Sequence, residues 1–483
     1  MTPVILKSIG ARAYGVWAIV FALSESAWLF DFGIRSATAH FAARAHASND
    51  FNALDRIIST SVVFFSVAGF LLVVAAALIL RFSAQWFQIP AGFDGIFRML
   101  LILAIGGWVC TAVFVAFEAC LEGMARFDLL THISVAAGLM RSVGTIAVIS
   151  LGFGLIAMGI VSVAVQVSAS VLAFAVVRRL IPQLRFSLAG VRYIVFRQLL
   201  AYGGPALVVS LANRLIINCG PLVIGHYLAT EQVAYFVVPL RMTQLVMEPA
   251  LRIGTVVRYR IAALGVLGRE KNAAIVGLVA SANRYSTFLL VLGAVVLIPF
   301  ARPILGLWAT PDIALRGAPI LQILMAGAVL GMGSQFASGA ALFGLGAHRT
   351  YAVAVAVQAA GGLLLMALLL PSFGILGVAA SFSGMMILIR GLITSKLFCV
   401  ELGAQWKPFM QATYAGPLAL CVPAVIAGEF IRHLAGPVPP PLVLAASVVG
   451  VGALYAIAVV AIGLRPDERM IARSWFNGIT RRG

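Results

Sequence analysis

The chain has 483 residues, 62% of them hydrophobic and 10% charged, with a mean hydropathy of +1.05 and a formal net charge of +18. A soluble domain carries roughly 45–50% apolar and about 25% charged residues, so a water-soluble globule is excluded and lipid is the solvent. In lipid only helices and closed barrels satisfy every backbone group. Unbroken apolar runs such as 62–80 and 285–300 exclude barrel strands, which alternate every second residue. The basic residues are scattered with no stripe interleaved with aromatics, so nucleic acid is not an expected partner. Cys110, Cys120, Cys219, Cys399 and Cys421 stand singly in apolar stretches, and the histidines form no ligand motif. No metal site and no cofactor are expected.

Taken in chain order, apolar runs of about 20 residues or more place spans near 15–33, 58–80, 97–120, 127–151, 153–178, 198–226 and 231–257. Six more follow near 275–300, 317–344, 350–370, 373–395, 410–431 and 441–464. The first begins like a signal peptide, with Lys7 and Arg12 before an apolar run that ends near Ala37-Thr38-Ala39. Glu25 and Asp31 interrupt that run, so it reads as a span. Loops on one side, with the C-terminal tail, hold 21 lysines and arginines against 6 on the other. The positive-inside rule then puts Gly483 in the cytoplasm and Met1 outside.

Three short segments recur. Tyr14-Gly15-Val16-Trp17 resembles Val233-Ala234-Tyr235-Phe236 at an offset of 219. Leu121-Glu122-Gly123-Met124 resembles Leu342-Phe343-Gly344-Leu345 at 221, and Phe153-Gly154-Leu155 resembles Phe373-Gly374-Ile375 at 220. A common period implies duplication, and an even number of spans per period makes the repeat parallel. The span at 198–226 has no counterpart in the first half, so a first helix is expected to be missing, with residues 1–7 as its tail; the alternative is a thirteen-span variant. The expected fold is an all-α polytopic membrane protein of about 13 transmembrane helices in two pseudo-repeated six-helix lobes plus two C-terminal helices. The expected divisions are an N-terminal lobe at 1–182, a C-terminal lobe at 183–400, two added helices at 401–464 and a basic cytoplasmic tail at 465–483.

A charge at the bilayer centre costs about 2.5–3.5 kcal/mol on insertion scales, so each embedded one needs a reason. Arg98, Arg284, Asp31, Glu118 and Glu429 are expected to reach a span end by snorkelling. The seventh span places Arg241, Gln244, Glu248 and Arg252 along one helical face. Glu248 can pair with Arg252, which leaves Arg241 without a local partner. Arg214 stands near Asn213 and Asn218 on the preceding span, Arg141 stands mid-span near Ser134 and Thr145, and Arg390 is a further embedded cation. Arginine in excess of acid favours an anionic cargo, and its planar fork matches phosphate. The structural alternative is that these arginines pair with Glu25, Glu248 and helix-end carbonyls to lock the two halves together.

Ile9-Gly10-Ala11-Arg12-Ala13-Tyr14-Gly15-Val16-Trp17, followed by Phe30-Asp31-Phe32-Gly33-Ile34, resembles the opening of the polysaccharide-biosynthesis flippases, the O-antigen and exopolysaccharide exporters of the multidrug/oligosaccharidyl-lipid/polysaccharide superfamily. Glu122-Gly123-Met124-Ala125-Arg126-Phe127 is similar to the family's segment after its fourth helix, and Ile224-Gly225-His226-Tyr227-Leu228 through Phe236 to the opening of its second lobe. The resemblance covers nearly the whole chain. It implies two six-helix lobes around a central cavity and alternating access that carries an undecaprenyl-diphosphate-linked oligosaccharide from the cytoplasmic to the periplasmic leaflet of a bacterial inner membrane. The seventh span then corresponds to the family's eighth. Arg214 and Arg241 with Arg141 would dock the diphosphate, aided by Arg252, Gln244 and Asn218, while Glu25 and Glu248 would balance charge or couple protons. One departure is Asn218-Cys219, which replaces an acid expected midway along the family's seventh helix. A polysaccharide polymerase and glycosyltransferases are the expected partners.

The nearest alternative is a lipid II-type peptidoglycan-precursor flippase. A cation-coupled multidrug antiporter would favour embedded carboxylates without surplus arginine. A polymerase or ligase needs large external loops, and those here reach at most about 17 residues without a carboxylate pair for acid–base chemistry, so no enzyme is expected.

Overall fold

The computed structural model describes residues 2–26, 33–48, 50–86, 89, 92–124, 126–184, 187, 190–265, 272–345, 347–436 and 440–463. Asp31, the Glu25 side chain and the tail at 465–483 lie outside the described residues. Among the described residues there are seventeen α-helices, three π-helical segments and no strand. Nine helices among the described residues are long and apolar enough to cross a membrane, among them a 53-residue stretch, Arg349–Glu401, that holds two of the expected spans. The chain is a multi-pass membrane protein.

The chain divides into two compact units, Met1–Ala234 and Tyr235–Gly483. The first unit contains α1 (Thr2–Ser26), α2 (Ile34–Ala47), α3 (Phe51–Trp86), α4 (Asp94–Ala112), α5 (Val115–Gly123), α6 (Phe127–Ser150), α7 (Leu155–Leu180) and α8 (Tyr193–Tyr227). α2 occupies a stretch that reads as a loop in the sequence. Its buried face of Ile34, Ala37, Ala42 and Ala45 joins Leu54, Phe65, Phe117 and Val177 in one apolar core, and Thr38 bonds Ser61 inside it at 2.7 Å. α2 packs on α5, α4 and α6 pack on α7, and α1 packs on α8.

α9 (Thr230–Gly265) leads into the second unit, which contains α10 (Asn272–Leu297), α11 (Ala301–Trp308), α12 (Pro311–Gly327), π1 (Ala328–Met332), α13 (Phe336–Gly344), α14 (His348–Met385), π2 (Met386–Thr394), α15 (Ser395–Glu401), α16 (Trp406–Ala435), α17 (Pro441–Ala458) and π3 (Val459–Gly463). α10 lies along α16, and π1 lies against π2. Two buried side chains, Asn283 and Tyr414, anchor a polar network there. Asn283 donates to the Ser334 carbonyl at 2.8 Å and to Ser338 Oγ at 2.9 Å, and accepts from the Ala337 N–H at 2.9 Å. Tyr414 accepts from the Ser334 N–H at 3.0 Å and donates to the Leu330 carbonyl at 2.7 Å.

The internal duplication is visible element by element. The break between α4 and α5 recurs between π1 and α13, and α5 and α13 each have 9 residues. The turn that separates α6 from α7 recurs as the bend of α14 at Gly374, where φ is 55°. The bend of α1 at Gly10 (φ 80°) recurs as the break between α8 and α9. Side-chain packing follows the same period. A Cβ on Gly107 would stand 2.9 Å from Val163, and one on Gly327 would stand 2.5 Å from Ser383, each member 220 residues after its counterpart. Small residues at such crossings let helix backbones approach closely, the usual means of association where lipid removes the hydrophobic drive.

Candidate functional site

α9 carries four of the expected site residues. Pro239 and Pro249 lie inside it, and each removes a donor from the helical ladder. One face is packed: Thr243 and Ala250 are buried, Gly293 of α10 sits against Val246, and Ser286 donates to the Ala250 carbonyl at 3.4 Å. The opposite face carries Arg241, Gln244, Glu248 and Arg252. Arg241 Nη1 donates to Gln244 Oε1 at 3.1 Å. That corrects the expectation that Arg241 has no local partner, because a glutamine three residues on lies on the same face and offers a neutral acceptor. One turn further, Arg252 Nη2 stands 3.8 Å from Glu248 Oε2, with the two side chains 79% and 59% exposed. An ion pair so open and so long is weak, and it leaves both charges accessible.

The remaining expected residues belong to the first unit. Arg214 and Asn213 on α8 are half-buried, and Asn218 is buried. Arg214, Asn213 and Arg241 all take further contacts, so the picture of bare guanidinium groups is also corrected. Arg141 stands midway along α6 with its Nε buried and making no hydrogen bond. Thr145, one turn on, is one of two buried side chains of that helix. Glu25, the proposed coupling group, has a side chain outside the described residues.

The partners of several charged residues escaped the sequence reading. Glu118, expected to snorkel, instead shares Arg35 with Glu122: Arg35 reaches Glu118 Oε2 at 3.1 Å and Glu122 Oε1 at 2.7 Å, and Ser170 donates to Glu118 at 3.0 Å. The i,i+4 spacing of two acids on α5 was the available signal. Arg284, also expected to snorkel, sits midway along α10 and is 7% exposed, with its guanidinium 5.6 Å from the Tyr285 ring centroid. Arg390 on π2 is buried, and its Nε donates to Gln358 Oε1 at 2.7 Å. At the start of α6, Arg126 grips Asp128 with two 3.0 Å bonds, which raise the arginine's pKa above its ordinary value.

Guanidinium groups donate only, in a planar fork, and so recognise phosphate or carboxylate oxygens. Among the described residues no group of three His, Cys, Asp or Glu could hold a metal ion.

The family model described as polysaccharide biosynthesis protein matches residues 9–308. Among solved structures the chain is similar to an inward-facing multidrug resistance MATE family transporter of the MOP superfamily, with TM-score 0.67 and 14% identity over 83% of this chain and 93% of that one. It is similar to the lipid II flippase MurJ in an inward closed conformation, with TM-score 0.66 and 15% identity over 94% of this chain and 98% of that one. A mutant of the Vibrio cholerae MATE transporter VcmN gives TM-score 0.58 and 13% identity over 84% and 92% of the two chains. Likeness at these identities shows the fold, that of this transporter superfamily. No curated protein sequence matches significantly.

Proposed function

Because the chain belongs to the polysaccharide biosynthesis protein family, we propose that it is a flippase for an undecaprenyl-diphosphate-linked oligosaccharide, the repeat unit of a surface polysaccharide. It moves this cargo to the periplasmic leaflet of a bacterial inner membrane by alternating access, with its C-terminus in the cytoplasm. Its working lobes are residues 1–182 and 183–400, and a polymerase and glycosyltransferases act beside it.

The observation that carries the reading is the open polar face of α9. Arg241, Gln244, Glu248 and Arg252 lie on the side that is not packed into the second unit. Against acyl chains each such charge would cost about 2.5–3.5 kcal/mol, so this face meets water or a polar ligand during transport. Arg241, oriented by Gln244, takes the diphosphate together with Arg214 and Arg141. Arg252 and Asn218 contact its polar surroundings, while Glu248 and Glu25 balance charge.

The test is polymer export by Arg214→Ala combined with Arg241→Ala, with insertion verified by membrane fractionation. Loss of export at normal protein level is the expected result, and wild-type export would remove the cationic site. Rescue of cells depleted of their lipid II flippase would redirect the cargo to a peptidoglycan precursor. Restored drug resistance in an efflux-deficient host would redirect it to drugs.

A further inference from the structure

No acidic residue stands between Asp128 and Glu231, and the arginines of this stretch gather where α7 gives way to α8. Arg179 in the last turn of α7, and Arg192 and Arg197 at the start of α8, are exposed. Among the described residues none of these three side chains meets an acid. Arg178 differs, since its Nη1 donates to the Leu184 carbonyl at 2.6 Å. Beside the three arginines, Leu180, Tyr193 and Ile194 are 42%, 77% and 70% exposed. The connection itself is held down. Ile181, Leu184 and Leu199 are buried in the apolar core of the first unit. The Ser187 and Arg192 N–H groups donate to Ser59 Oγ at 3.3 Å and Thr60 Oγ1 at 3.4 Å on α3. Asp55 of α3, an acid beside this connection, takes contacts of its own.

α8 has 35 residues, about 52 Å at 1.5 Å per residue, whereas a hydrocarbon core about 30 Å thick takes roughly 20. Centred on the bilayer, α8 carries its first turns out to the level of the lipid headgroups. Tyrosine suits that layer, with its ring toward the acyl chains and its hydroxyl toward water. Arginine in the same layer faces phosphate, which its planar fork grips. Exposed cations flanked by exposed apolar side chains complement a surface that is anionic outside and apolar beneath. A soluble acidic partner would meet the charges and leave Tyr193 and Ile194 in water. We infer that the α7–α8 junction is a docking surface for anionic phospholipid, separate from the α9 face. Arg179, Arg192 and Arg197 take headgroup phosphates, and Leu180, Tyr193 and Ile194 sit among the upper acyl carbons.

The test replaces Tyr193 with the photo-crosslinker p-benzoylphenylalanine in the full chain. The protein is reconstituted in nanodiscs of phosphatidylglycerol and phosphatidylcholine, mixed equally and with identical acyl chains, and the captured lipid is identified by mass spectrometry. Capture should favour phosphatidylglycerol by about fivefold, the preference that one arginine's attraction to an anionic surface provides. Added salt should bring the ratio toward parity. Arg179→Gln, Arg192→Gln and Arg197→Gln together should return it to parity, whereas Arg→Lys at the same three positions should preserve it. Parity without these substitutions overturns the surface. A preference that survives loss of all three arginines overturns their assignment. If the triple glutamine variant fails to insert, the same crosslinker at Val449, 68% exposed on the uncharged helix α17, supplies the reference. A ratio at position 193 no higher than at position 449 refutes the proposal.

Discussion

Arg35 on α2 holds Glu122 on α5 at 2.7 Å, and the same guanidinium holds Glu118 one turn away. Each of the three side chains is between 21% and 29% exposed, so the cluster ties the two helices in surroundings that only partly screen it. Arg35→Met leaves two carboxylates facing each other. Breaking a buried pair costs about 3–5 kcal/mol; partial exposure reduces that here to about 2 kcal/mol. Unfolding in nanodiscs should show this loss, and Arg35→Met with Glu122→Gln should recover part of it in a double-mutant cycle.

Gly15 belongs to the Tyr-Gly-x-Trp segment that carries the family resemblance, and its reason is steric. A Cβ there would overlap the Thr230 carbonyl, whose backbone cannot move aside. Gly15→Ala is expected to lower stability by about 2–3 kcal/mol through overpacking. Gly138 on α6 has nothing within 4 Å of its Cβ direction, so Gly138→Ala should be neutral or stabilising by up to about 1 kcal/mol. Thermal unfolding of the two variants separates the cases, and equal effects would refute the assigned contact.

Asn283 satisfies three partners at the junction of α10, π1 and α13. Asn283→Leu should cost about 3 kcal/mol or more, since the Ala337 N–H and the Ser334 carbonyl lose their partner in a buried site. Tyr414→Phe strands the Ser334 N–H and should cost about 1–3 kcal/mol. Expression level and unfolding midpoint report both.

Gln244 orients Arg241 without adding charge. On the proposed function, Gln244→Leu should reduce polymer export by roughly tenfold, the equivalent of about 1.4 kcal/mol, while Gln244→Glu neutralises Arg241 and reduces it further. Export assays at matched protein levels order the two variants. A leucine variant as active as wild type would limit Gln244 to packing.

Sequence alone determined the membrane, the helices and the duplication, because each is written in one dimension. Apolar run length sets a span, and a period of about 220 residues sets the repeat that Gly107–Val163 and Gly327–Ser383 reproduce in packing. The polar face of α9 was legible for the same reason, since helical spacing alone lines up Arg241, Gln244, Glu248 and Arg252. Partner choice was not. Arg35 meets Glu122 across 87 positions and Arg390 meets Gln358 across 32. Only the crossing of helices decides whether a charge placed within a span finds an acid, a glutamine or a ring.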